Sequence, residues 1–104
     1  MRGMPKTFTL RPEDVFRKKG EVVFRDIGGE SLLIPIVNNV GDLSSIYTLN
    51  EIAARIWGLI DGRRSVREIT RLLTDEYDVS EDVVMDDVSG FIEELVNIRF
   101  LERV

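Results

Sequence analysis

The sequence predicts an α+β domain, a three-stranded antiparallel sheet followed by three helices. Three observations carry this. β-Branched and aromatic residues flank the pair Gly28-Gly29; a short apolar run, SIYTL, ends at a helix-capping asparagine; and three stretches beyond it place apolar residues at helical spacing. At 104 residues the chain is long enough to close one core and too short for two.

The elements follow in order. Residues 1–20 show no sustained period and end in RKKG, so they are read as an extended arm with at most a turn at RPED, and residues 21–104 as the domain. EVVFRDI, GG and ESLLIPIV form a hairpin, because a two-residue type I′ turn needs positive φ at both central positions and glycine supplies it freely. Alternation puts Leu32, Ile34 and Ile36 on one face of the second strand and Leu33, Pro35 and Val37 on the other. Pro35 cannot donate to a ladder, so the strand is expected to bend or lose pairing there. NNVGDLSS is loop by composition, and SIYTL is a short third strand.

Asn50 is the expected N-cap of the first helix, whose stripe is Ile52, Ile56, Leu59 and Ile60, widened by Ala53 and by Trp57 as a core residue. Gly62 is expected to end it as a C-cap. Ser65 and Glu68 have capping-box spacing at the start of a second helix with Val66, Ile69, Leu72 and Leu73 inward. Ser80 opens a third, with Glu81 and Asp82 in the first turn and Val84, Val88, Phe91, Ile92 and Leu95 on one face. Gly90, in the middle of that helix, costs about 1 kcal/mol relative to alanine. It is read as close helix packing, or else as room for a segment lying against the helix. FLERV is a terminal extended piece that packs back on the domain.

Composition narrows the function classes. A hydrophobic fraction of 43% and a charged fraction of 32% are those of a globular chain, and no apolar run is long enough for a bilayer or a signal peptide, which points to a cytoplasmic protein with no membrane role. There is no cysteine and no histidine, which closes the common thiol, imidazole and metal arrangements and leaves only carboxylates for catalysis. Those carboxylates fall on solvated faces, with no inward pair. Small sheet and three helices are also the parts of a winged helix, a fold that commonly reads DNA. The net charge of −5 and the third helix's opening SEDVVMDDV argue against that, since four carboxylates there would repel phosphate, and Arg63, Arg64, Arg67 and Arg71 read as a solvated face. Charge is uneven: residues 1–25 hold seven Lys and Arg against three acids, whereas 75–87 hold seven acids and no base, a distribution that would steer a basic partner segment.

The strand end YTLN, then AARIWGLIDG, SVREITRLLTDEYDVS and DVSGFIEELVNIRFLE, resembles the PqqD family over roughly residues 22–101. Members serve in assembly of the quinone cofactor PQQ, and related modules in peptide natural-product pathways are called RiPP recognition elements. The resemblance implies a winged-helix-like domain with no catalysis and no cofactor of its own. Such a domain binds the leader of a ribosomally made precursor peptide as an added strand beside its third strand, and presents it to a modifying enzyme, often a radical S-adenosylmethionine enzyme. Carried onto this chain, the edge strand is Ser45, Ile46, Tyr47, Thr48 and Leu49, and the covering helix face is Asp87, Val88, Phe91 and Glu94. Two further readings stand beside it: a winged-helix DNA-binding regulator, and a dimerisation module in which the same edge pairs with its own copy to give a homodimer.

Overall fold

The computed structural model describes residues 9–36 and 46–104. The elements are β1 (Phe16–Lys18), β2 (Val22–Ile27), β3 (Glu30–Pro35), β4 (Tyr47–Leu49), α1 (Glu51–Leu59), α2 (Val66–Tyr77), α3 (Glu81–Asn97) and β5 (Leu101–Arg103). β2, β3 and β4 make an antiparallel sheet in that order, and β1 pairs antiparallel with β5 in a separate two-stranded sheet. The three-strand, three-helix prediction holds, with this small second sheet added. Phe16–Lys18, inside the segment expected as an arm, is extended but stitched in, and FLERV supplies its partner strand.

The hairpin turns as its glycines require. Ile27 faces Glu30 across a two-residue connection in which Gly28 has φ 59° and Gly29 φ 85°, a conformation with little cost only for glycine. Register then decides which face is inside. Leu33 is fully buried, whereas Leu32 and Ile34 are half-buried and Ile36 is exposed, so the Leu33 face meets the helices. Pro35 does not break pairing with β2: it stands opposite Val22, and the Ile36 amide still donates to the Glu21 carbonyl at 2.5 Å. In an antiparallel ladder bonding alternates sides. The missing N–H of Pro35 therefore faces the β4 side, where the last described pair is Leu33 with Tyr47. The proline thus costs the β2–β3 ladder no donor.

Helix starts are as the sequence predicts. The Asn50 side chain accepts from the Ala53 amide at 2.8 Å, and Ser65 and Glu68 form both bonds of a capping box, 3.1 and 2.8 Å. The end of α1 differs from expectation. The helix stops at Leu59 with Ile60 as its cap, and Gly62, at φ 80°, belongs to the turn that follows, where its amide donates to the Phe16 carbonyl. That turn is tied by Asp61, whose carboxylate accepts from the amides of Arg63 and Arg64. These two bonds, Arg64's first, favour the charged carboxylate and hold its pKa below the usual carboxylate range.

Leu72, assigned inward on α2, is 42% exposed, and Thr70 holds the inward place at 0%. The threonine fits because its hydroxyl donates to the Val66 carbonyl one turn back at 2.8 Å, leaving a methyl to pack. On α3 all five expected residues are buried, as is Trp57 on α1. Lys18 lies over the Trp57 ring with Nζ 5.1 Å from its centroid, and burial lowers its pKa. Gly90 is not a close-packing position: a Cβ there would meet nothing within 4 Å. No helix among the described residues is long and apolar enough to cross a membrane.

Candidate functional site

β4 is the open side of its sheet. Its inner side pairs with β3 at Ser31 and Leu49, Leu32 and Thr48, and Leu33 and Tyr47. The alternation fixed by the Ile36–Glu21 bond makes Leu33–Tyr47 and Ser31–Leu49 the bonded pairs, so the N–H and C=O of Thr48 point away from the sheet. Among the described residues no strand takes them up. The strand runs straight into Asn50 and α1, so the capped helix start marks where the open edge ends.

Beside this edge lies a groove of about 330 Å³. Tyr47 and Thr48 form one wall, with Asn50 at the corner; Ile52, Ala53 and Ile56 of α1 form the second; Asp87, Phe91 and Glu94 of α3 form the third. The α3 residues share a face because they stand four and three apart. Buried Ile56 and Phe91 give an apolar floor, and exposed Asp87 and Glu94 an acidic rim.

Two contacts of Tyr47 tie the strand to the helix across the groove. The Tyr47 hydroxyl donates to Glu94 Oε1 at 2.6 Å, and its ring meets Phe91 edge-on with centroids 6.3 Å apart. Burial, the hydrogen bond to Glu94 and that carboxylate's charge together push the Tyr47 phenol up to about 12. The phenol therefore stays neutral and remains a donor at ordinary pH.

The expected site residues divide. Tyr47, Thr48, Asp87, Phe91 and Glu94 come together around the groove. Leu49 and Val88 are core residues, 5% and 0% exposed, and do not line it. Ile46 is exposed just ahead of β4, and Ser45 lies outside the described residues. The α1 wall, Asn50, Ile52, Ala53 and Ile56, was absent from the expected set, because apolar residues at helical spacing read as core. The one available signal was Ala53, a small residue on the buried stripe beside the open strand. Among the described residues no group of three or more acids is placed to hold a metal.

The family model described as "Coenzyme PQQ synthesis protein D (PqqD)" matches residues 25–101, and the chain belongs to this family. No curated protein matches the sequence. Three solved structures share the fold. One is TbiB1 in complex with the TbiA(beta) leader peptide, 26% identical, TM-score 0.67, covering 83% of this chain and 94% of that one. Another is lasso peptide synthetase B1 complexed with the leader peptide, 20% identical, TM-score 0.69, covering 84% and 96%. The third is the PqqD truncation of Methylobacterium extorquens PqqCD, described as a functional, stand-alone RiPP recognition element, 23% identical, TM-score 0.71, covering 90% and 95%.

Proposed function

We propose that this member of the PqqD family is a non-catalytic adaptor that captures the leader of a ribosomally made precursor peptide. The peptide adds as a strand to β4, beneath α3, and is thereby delivered to a separate modifying enzyme, a radical S-adenosylmethionine maturase being one class that would serve. The observation that carries this is the outward-facing Thr48 backbone opening onto a groove with an apolar floor. Main-chain bonds at a sheet edge provide affinity for any extended peptide, and pockets beside the edge read alternate side chains. TbiB1, a structure of the same fold at 26% identity, was solved with a leader peptide, which supports this reading.

Delivery requires no catalytic group in the adaptor. Holding the leader near the maturase turns encounter into a local event at raised effective concentration. The exposed acids at the start of α3, Glu81, Asp82, Asp86 and Asp87, disfavour the alternative of a DNA reader.

The test is an amide NMR titration with the leader segment of a short peptide encoded beside this chain. Saturable shifts over residues 46–49 and 87–94 are expected. Their absence, at concentrations well above micromolar, overturns the adaptor reading for that peptide. Light scattering across concentration separates it from self-pairing through the same edge.

A further inference from the structure

The acidic rim of the groove has no counter-charge among the described residues. Among the described residues, the ion pairs are Arg17 with Glu102, Arg55 with Glu76, Arg64 with Asp61 and Arg103 with Asp14, all outside the groove. No described lysine or arginine lines it. Glu94 uses one oxygen to hold the Tyr47 hydroxyl. Its other oxygen and the carboxylate of Asp87 have no described partner, and both residues line the groove. An unfavourable negative rim around an apolar floor is complementary to a peptide that brings both an apolar anchor and positive charge.

Spacing makes this specific. Asp87 lies one turn from Phe91, about 6 Å along the helix axis, and Glu94 about 4.5 Å beyond Phe91 in the other direction. Same-side residues of a strand recur every two positions, about 6.7 Å. A strand running parallel to α3 with one side chain over Phe91 and Ala53 would bring its next same-side residue level with Asp87, within easy reach of a long cationic side chain.

We infer that the groove selects peptides in which a lysine or arginine stands two residues from an apolar anchor, the anchor seated between Phe91 and Ala53 and the cation on Asp87, with Glu94 as a second acidic contact at the opposite end. The inference rests on the strand-addition reading and adds to it a recognisable substrate class. Asp87 and Glu94 are its specificity-determining residues. The rim charges also steer encounter, so binding weakens as salt rises.

The experiment is selection of short random peptides displayed on phage against the full chain, followed by fluorescence anisotropy of the best one as a synthetic peptide. Enrichment of Lys or Arg two positions from Leu, Ile, Val or Phe is expected. Asp87→Asn and Glu94→Gln should each weaken the selected peptide by about three- to tenfold, the range for partly exposed charge pairs. Glu94→Gln keeps an acceptor for Tyr47, so its effect reports charge and not a lost support. Asp87→Lys should turn the selection toward Asp and Glu. Enrichment of apolar residues without charge, unchanged by either neutral substitution, overturns this inference and leaves strand addition standing. No enrichment, or amide shifts away from β4 and α3, overturns both.

Discussion

β1 and β4 are each three residues long, and each buries one large side chain, Phe16 at 2% and Leu49 at 5% exposure. They differ in what happens to their backbones. β1 is used on both sides. One side pairs with β5, extended by Val104 donating to Val15 and Lys19 donating to Phe100; on the other, Gly62 donates to Phe16 and Val66 to Asp14. Among the described residues β4 is bonded on the β3 side only, and its outer side borders the groove. Among the described residues, one short strand is therefore covered by loop and by a second strand, and an equivalent strand is left unpaired on one side. An unpaired edge is a liability unless something is meant to pair with it, and on the proposed function the contrast gives β1 to stability and β4 to recognition.

That division can be broken by experiment. The largest effect is expected at the closed strand. Phe16→Ala removes a ring from the core that also carries the Arg103 guanidinium at 5.6 Å, and should lower stability by about 3–5 kcal/mol, measured by denaturant unfolding. A loss under about 1 kcal/mol would mean that β1 is an accessory to the domain and not part of its closure. At the open strand the balance reverses. Thr48→Pro deletes an N–H that no described residue uses, and proline is tolerated on an edge, so cooperative unfolding should persist. Leader binding, followed by anisotropy, should fall by about tenfold, the worth of a main-chain hydrogen bond with its share of misfit. Unchanged binding would remove β4 as the templating edge.

The same contrast explains which parts of the structure were legible in the sequence. Caps and turns are local. Asn50 to Ala53, Ser65 to Glu68 and the Gly28-Gly29 connection are each decided within three or four residues, and all three were foreseen. The stripe of α3 was legible because its five apolar residues leave one possible inward face. The pairing of β1 with β5 joins residues more than eighty positions apart through two three-residue strands, too short to show a period. Thr70 took the inward place expected of Leu72 because hydrophobicity alone ranks leucine first, whereas the rotation of α2 is set by what it packs on, and a threonine bonded to its own helix is apolar enough for the inner position. For the groove, β4 and α3 were found from the family resemblance. The α1 wall was not, since a residue such as Ile56 can be 1% exposed and still form the floor of a site.

Gly90 offers a smaller test of whether α3 is shaped by packing. It sits mid-helix in open space, so Gly90→Ala meets no clash and should raise stability by about 1 kcal/mol, read as an increase in thermal midpoint. Destabilisation would show that the position is packed after all and restore the close-contact reading. A gain would mean that the glycine persists at the expense of helix stability beside the face that carries Asp87, Phe91 and Glu94.

The smallest effect, and the sharpest probe of the groove itself, is the titration of Tyr47. The chain has two tyrosines, so a Tyr77→Phe background leaves Tyr47 as the only phenol. Its phenolate absorbance should appear with a midpoint near 12, against an ordinary value of 10.0. Because the folded value is the higher one, the fold favours the neutral phenol. The stabilisation is whole below the unfolded value near 10 and is lost as pH climbs through about 12. Glu94→Gln removes the neighbouring charge, and the midpoint should drop back toward 10 without reaching it, since burial, the leading cause, remains. A midpoint that ignores Glu94 would mean that the bond across the groove is not formed in solution. The strand and helix would then be joined by the Phe91 contact alone, and the acidic rim would have both oxygens of Glu94 available to a ligand instead of one.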